Sequence, residues 1–472
     1  MNSIDLAFTP AVEQAELIRR RDVSPLELVQ LYLERIERLN PQLGSYVFVA
    51  AEQALADATA KTEYLMHTAP EELPPFFGVP ISIKDLNPVA EMPCAFGVRW
   101  LKQRIAKEDD GVVKKIKAAG FVILGKTLTS EVGTLPYTEP DGFPPARNPW
   151  HLDYTPGGSS GGSTSALAAG LCAIAHGSDG GGSVRGPAFC CGLVGIKPAR
   201  GRVSYAPLGE RLGGLATNGS LGRTVIDAAA LLDVMSGYVT GDPYWLPAPV
   251  PSFRAAATTP SPRLRIGFAT EIPPLGDAYA TCGQAVVDTA TLLAALGHQV
   301  EPVAFPDVGD LIEPFTTMFQ ALLNEVGIPE PLLGKMNRFL SLRSRFCSCG
   351  GYLRATAKVE LISRRIVAAF DEIDVMVLPT YLHPTIRIGE WARYGPAKTL
   401  EKIVQWIAPC PPFNATGQPA IAIPTGFDSQ GLPIGVQLVG RPAAETTLIA
   451  LAAEIEAAQP WSHHRPPLAI DS

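Results

Sequence analysis

The chain predicts an α/β protein built around a largely buried mixed sheet, on three observations. Strand-like and helix-like segments alternate along most of its 472 residues. Both halves are apolar-rich, with 46% hydrophobic and 18% charged residues overall, so neither reads as an autonomous unit. The one clear proline-rich connector, GYVTGDPYWLPAPVPSFRAAATTPSP at 237–262, then reads as a crossing between halves of one sheet.

The elements follow in order. AVEQAELIRRR is an amphipathic helix, and SPLELVQLYLERIERLN a second one, with Ser24 as its cap and Pro25 in its first turn. FFGVPISIKDL, 76–86, is a strand in which Val79, Ile81 and Ile83 alternate with Pro80, Ser82 and Lys84. DDGVVKKIKAAG is a helix closed by Gly120, and FVILGK a short buried strand. STSALAAGLCAIAHG is a small-residue helix that ends at Gly170 or runs into a second buried segment. Beyond the connector come the strand RLRIGFAT, the helix CGQAVVDTATLLAALG stopped by Gly297, and the strand HQVEPVAF. Helical character follows from 310 to 372, then strands VMVLPT and PAIAIPTGF and the helix TTLIALAAEIEAA.

Composition narrows the function. The net charge is −7 and no basic run exceeds Arg19-Arg20-Arg21, so a nucleic-acid footprint is not expected. Glu13 and Glu16 interrupt the N-terminal segment where a signal peptide needs an apolar run, and Ala166–Ala175 is too short to span a bilayer. The expectation is a cytoplasmic protein without membrane contact. Eight cysteines contain no C-x-x-C and the seven histidines show no ligand spacing, so reduced thiols, no metal and no cofactor are expected.

Two motifs mislead. GFVILGKT, 120–127, matches the Walker A pattern, but a P-loop needs its strand before the first glycine, and here the strand lies between the glycines. GGSSG, 157–161, matches the G-x-S-x-G elbow, yet NPWHLDYTP ahead of it is a polar turn instead of a strand. That reading would also need one of His383, His463 or His464.

A different constellation holds together. GSDGGGSVRG, 177–186, sets Ser183 behind Gly180, Gly181 and Gly182, three residues that cost backbone entropy and pack nothing. Bare backbone there leaves N–H groups able to converge beside a serine oxygen, as an oxyanion hole requires, with Ser183 the nucleophile. A glycine-rich tight turn is the plain alternative. Lys84 ends an apolar strand, and alternation puts Asp85 on the opposite face, so Asp85 need not keep the ammonium charged. A desolvated lysine favours its neutral form and can accept a proton. Ser159, with glycines on both sides in TPGGSSGGS, is able to pass a proton between Lys84 and Ser183.

At these residues the sequence resembles the amidase signature enzymes. The resemblance covers most of the chain, through GVPISIKD, GFVILGKT, TPGGSSGGS, GSDGGGSVRGPAFCCGLVGIKP and PFNATGQPAIAIPTGF…GLPIGVQLVGRP. It implies a single α/β domain over 1–472 with a long, mixed, twisted sheet flanked by helices, its catalytic core at about 76–230 and its C-terminal half at 263–472. It further implies Ser183 as acyl-enzyme nucleophile, Ser159 as a relay serine in a cis peptide, and Lys84 as base. By the same resemblance Gly180, Gly181 and Gly182 form the oxyanion hole, with Ser160, Asp179 and Arg185 supporting.

The expected activity is hydrolysis of C–N bonds in small, aryl or apolar amides, with carbamates and esters as further substrates. The resemblance is nearest to bacterial xenobiotic amidases such as nylon-oligomer and urethane hydrolases. The segment YAPLGERLGGLATNGSLGRT after 204 does not look like the glutamyl-tRNA amidotransferase branch, which remains the alternative reading. Phe315, Met318, Phe319, Met336, Phe339 and Trp406 are placed in either core or substrate pocket. Monomer and homodimer are both open.

Overall fold

A computed structural model describes residues 2–470. Thirteen strands form: β1 (Tyr46–Val49), β2 (Pro80–Lys84), β3 (Val122–Thr127), β4 (Ile174–Asp179), β5 (Val194–Lys197), β6 (Thr217–Gly222), β7 (Arg265–Phe268), β8 (Glu271–Ile272), β9 (Gly276–Asp277), β10 (Gln299–Pro302), β11 (Val375–Pro379), β12 (Ala420–Phe427) and β13 (Pro433–Gly440). Eleven of them make one mixed sheet in the order β1-β3-β2-β4-β6-β5-β12-β13-β11-β7-β10, while β8 and β9 pair only with each other. Helices pack over the sheet, which gives the α/β architecture expected from the alternation.

Both halves of the chain share this sheet. β5 pairs antiparallel with β12, so the strands before and after the connector are joined by backbone hydrogen bonds. Most of the predicted elements form with trimmed ends. The helix Pro25–Leu43 starts at a Ser24–Glu27 capping box, in which Ser24 Oγ accepts from the Glu27 N–H and Glu27 Oε2 accepts from the Ser24 N–H. The small-residue segment resolves as a helix, Gly161–Ala168, followed by β4.

The sheet positions the site through β2 and β4. They are parallel neighbours, with Ile81 opposite Ile174 and Ser82 opposite Ala175. Lys84 and Ser178-Asp179 therefore emerge side by side at the same edge, the carboxyl ends of parallel strands, where open α/β sheets form their crevices. The loop 180–183 continues directly from β4, and the helix beginning at Gly161 brings Ser159 and Ser160 to that edge.

Candidate active site

Lys84 is fully buried, and its Nζ lies 2.7 Å from Ser159 Oγ, 3.0 Å from Ser178 Oγ and 3.2 Å from the Ser178 carbonyl oxygen. Burial drives its amine down from 10.5 to about 7, against the attraction of Asp179. A neutral amine has two N–H donors and one lone pair. The two oxygen atoms of Ser178 can take the donors, which leaves the lone pair for the Ser159 hydroxyl. Asp85 faces the other way, as alternation requires, and accepts from Lys126 Nζ at 2.8 Å. Lys126 is the Walker-like lysine. It lies buried in β3 and its charge is engaged by Asp85.

The Gly158–Ser159 peptide is cis, and no strand runs into Ser159. Ser160 Oγ donates to the Ser178 carbonyl at 3.3 Å and so ties the Ser159 turn to the end of β4. Ser178 was not among the residues singled out in the sequence. Its position one residue before Asp179, on a strand parallel to β2, was the available signal.

The loop after β4 is held from inside. Asp179 and Arg185 form a fully buried ion pair in which Arg185 Nη2 donates to Asp179 Oδ1 at 3.0 Å. The Asp179 carboxylate also accepts from the N–H groups of Gly182 at 2.7 Å and Val184 at 3.1 Å, and from Asn414 Nδ2 at 2.9 Å. Burial works against a charged carboxylate there, but the Arg185 guanidinium outweighs it and holds Asp179 far below the usual range. Arg185 in turn donates to Gln437, Asn414 and the Cys410 carbonyl. Asn414 and Gln437 come from the C-terminal half and were missed, because contacts across more than two hundred residues leave no local pattern.

This geometry corrects one expectation about the glycines. The Gly182 N–H points to Asp179 Oδ1, so it does not converge with its neighbours on a point beside Ser183. Among the described residues, the N–H groups of Gly180, Gly181 and Ser183 donate to no protein acceptor. Gly182 is required for a different reason. Its φ is +120°, and a Cβ there would sit 2.7 Å from Cys410 Cβ. At Gly180 an added Cβ would meet Leu212 Cδ1 at 3.0 Å and Phe319 at 3.6 Å, and at Gly181 it would face Phe315 at 3.6 Å.

Two cavities meet at this loop. The first, of about 110 Å³, is bounded by Gly181, Gly182 and Ser183 on one side and by Phe315, Leu340 and Ile403 on the other. The second, of about 500 Å³, reaches Ser159, Ser178 and Gly180. Phe319 forms part of both walls. Of the apolar residues placed in either core or pocket, Phe315, Phe319 and Met336 line the first cavity. Met318 and Trp406 are core, and Phe339 packs against it.

Among the described residues no histidine lines either cavity. His176 is fully buried beside Asn218, and burial pushes it down to about 3. His383 stacks on Trp406, and the His463 and His464 rings pack against each other at a tilt of 40°. Six of the eight cysteines are buried, and all are free thiols. Among the described residues no helix is long and apolar enough to cross a membrane.

The chain is similar to known amidases. The amidase family model matches residues 27–449. A Synechocystis sp. protein, provisionally named an amidase, is 53% identical over 454 residues, covering 96% of this chain and 89% of that protein. The structure of 6-aminohexanoate cyclic dimer hydrolase in complex with substrate superposes with a TM-score of 0.91 at 31% identity, over 98% of this chain and 99% of that one. A bacterial aryl acylamidase of the amidase signature enzymes superposes with a TM-score of 0.88 at 25% identity, over 96% of this chain and 97% of the other.

Proposed function

The chain belongs to the amidase signature family and is an amidase that hydrolyses C–N bonds, and from that premise we propose a serine mechanism acting on amides with an apolar acyl group. Ser183 Oγ attacks the amide carbonyl carbon. Its proton passes to Ser159, whose own proton passes to Lys84 Nζ. The carbonyl oxygen becomes an oxyanion facing the free N–H groups of the loop. Collapse breaks the C–N bond while the proton returns from Lys84 through Ser159 to the departing nitrogen. Water then attacks the Ser183 ester by the same relay, releasing the acid.

The observation that carries this reading is the 2.7 Å contact between Ser159 Oγ and a buried lysine whose amine is brought to about 7. A lysine at its ordinary value would hold its proton and could not serve as base. The cavity at Ser183 supports the apolar acyl group, because Phe315, Leu340, Ile403 and their neighbours form its walls. Carbamates and esters share the same carbonyl chemistry and belong to the same proposal.

The test is covalent trapping. Quenching the enzyme on a slow hexanoyl anilide should give a hexanoyl adduct on Ser183, and Ser183→Ala should lose both the adduct and nearly all turnover. An adduct on Ser159, or substantial turnover by Ser183→Ala, would refute the assignment.

A further inference from the structure

The second cavity carries chemistry that the reaction itself does not use. Arg104 and Arg211 both line it, and among the described residues neither guanidinium has an ion-pair or hydrogen-bond partner. Arg104 lies over the Phe96 ring, 5.6 Å from its centroid. Asp110 attracts Arg211 from a distance, but no carboxylate lies within ion-pair contact of it among the described residues. Asp110 accepts from the Val112 N–H and from Asn87, and Glu210 accepts from the Gly214 N–H. The lining carboxylate, Asp179, is paired with Arg185.

One further donor stands unused. Asn218 is fully buried and lines the same cavity, with its Oδ1 accepting from Asn87 and facing His176. Among the described residues its Nδ2 has no partner. A buried amide donor normally finds an acceptor, and the half-buried Arg211 together with Arg104 at the exposed rim can attract an anion. The cavity is thus rich in donors and positive charge next to the relay serine.

Which half of the substrate lies here follows from the proton path. Ser159 must hand its proton to the departing nitrogen, and Ser159 lines this cavity. The amine half therefore leaves on this side, while the acyl half occupies the apolar cavity at Ser183. We infer that the departing amine carries a carboxylate held by Arg104 and Arg211, so that the substrate class is the N-acyl amino acids with an apolar acyl chain. This rests on the serine mechanism above for the orientation of the two halves. The planar guanidinium fork suits a carboxylate, which it can engage through two parallel hydrogen bonds.

Binding and turnover separate the two readings. In full-length Ser183→Ala, calorimetry would compare hexanoyl-glycine with N-methylhexanamide, and hexanoyl-γ-aminobutyrate with N-propylhexanamide, each pair differing only by the carboxylate. At least one acid should bind about tenfold or more tightly than its neutral partner, and added salt should narrow the ratio. Arg211→Ala and Arg104→Ala should each collapse that ratio, while Arg211→Lys, which keeps the charge without the fork, should restore part of it. Equal affinity for acid and neutral partner in both pairs, or a ratio unchanged in the Arg104→Ala/Arg211→Ala double variant, would overturn the subsite. In otherwise wild-type enzyme, an acyl adduct on Ser183 without acid selectivity would also refute the subsite alone. Acid selectivity with no adduct would refute the serine mechanism and leave the anion subsite standing.

Discussion

Replacing Lys84 with Met should make the protein more stable at neutral pH and almost inactive. Lys84 is fully buried, and its amine titrates at about 7 in the fold against an ordinary 10.5. At about 1.36 kcal/mol per pH unit, that gap is a destabilisation on the order of 5 kcal/mol. The sign follows from linkage. Between about pH 7 and 10.5 the unfolded chain holds a proton that the folded chain does not, so stability rises with pH across that window. Below about 7 both states are protonated and the full penalty is present. Above 10.5 both are neutral and it vanishes. Methionine keeps an unbranched apolar stem in the same space and carries no charge. It gives up the contacts with Ser159 and Ser178, which costs roughly 1–3 kcal/mol. The net gain is then about 2–4 kcal/mol at neutral pH and should disappear, or reverse, near the upper end of the window. Urea unfolding of both proteins, from about pH 6 to about pH 10, measures it as the difference in midpoint at equal m. A difference that stays constant over that range, or a variant less stable at neutral pH, would refute the idea that a desolvated amine sits at Lys84.

The kcat/KM of the wild type should fall as pH drops through about 7, because protonation of Lys84 removes the base, and steady-state rates across pH on an uncharged amide would show it. A flat profile through that region would exclude Lys84 as the titrating group. Gly186→Ala should unfold or severely weaken the protein, since the new Cβ would lie 1.7 Å from the hydroxyl of the buried Tyr381. Tyr381→Ala in the same chain should recover much of the denaturant midpoint, and no recovery would place the clash elsewhere. Phe319→Ala should raise KM for hexanoyl amides about tenfold while changing acetyl amides little, because the ring forms a wall between the two cavities. Equal effects on the two acyl groups would mean that Phe319 does not contact the acyl chain.

Part of this molecule was legible because the relevant forces are local. Capping at Ser24, the glycine stops and apolar periodicity act within a few residues, so the main helices could be read directly. Strand alternation placed Lys84 and Asp85 on opposite faces, and they do meet different partners, Ser159 and Lys126. The serine-glycine blocks were legible for the same reason, since a short motif carries its own backbone requirement. β6 was not legible. Thr217–Gly222, TNGSLG, has almost no apolar side chain, yet it is buried and hydrogen-bonded between β4 and β5. Its backbone bonds on both edges compensate for its composition, and their partners lie far away in sequence. The turn of the Gly182 N–H toward Asp179, the clamp by Asn414 and Gln437, and the two cavities at Ser183 and Ser159 were likewise decided only by the tertiary structure. Each depends on which distant segment fills the space beside a loop, and that depends on the packing of the whole sheet, which no window of neighbouring residues contains.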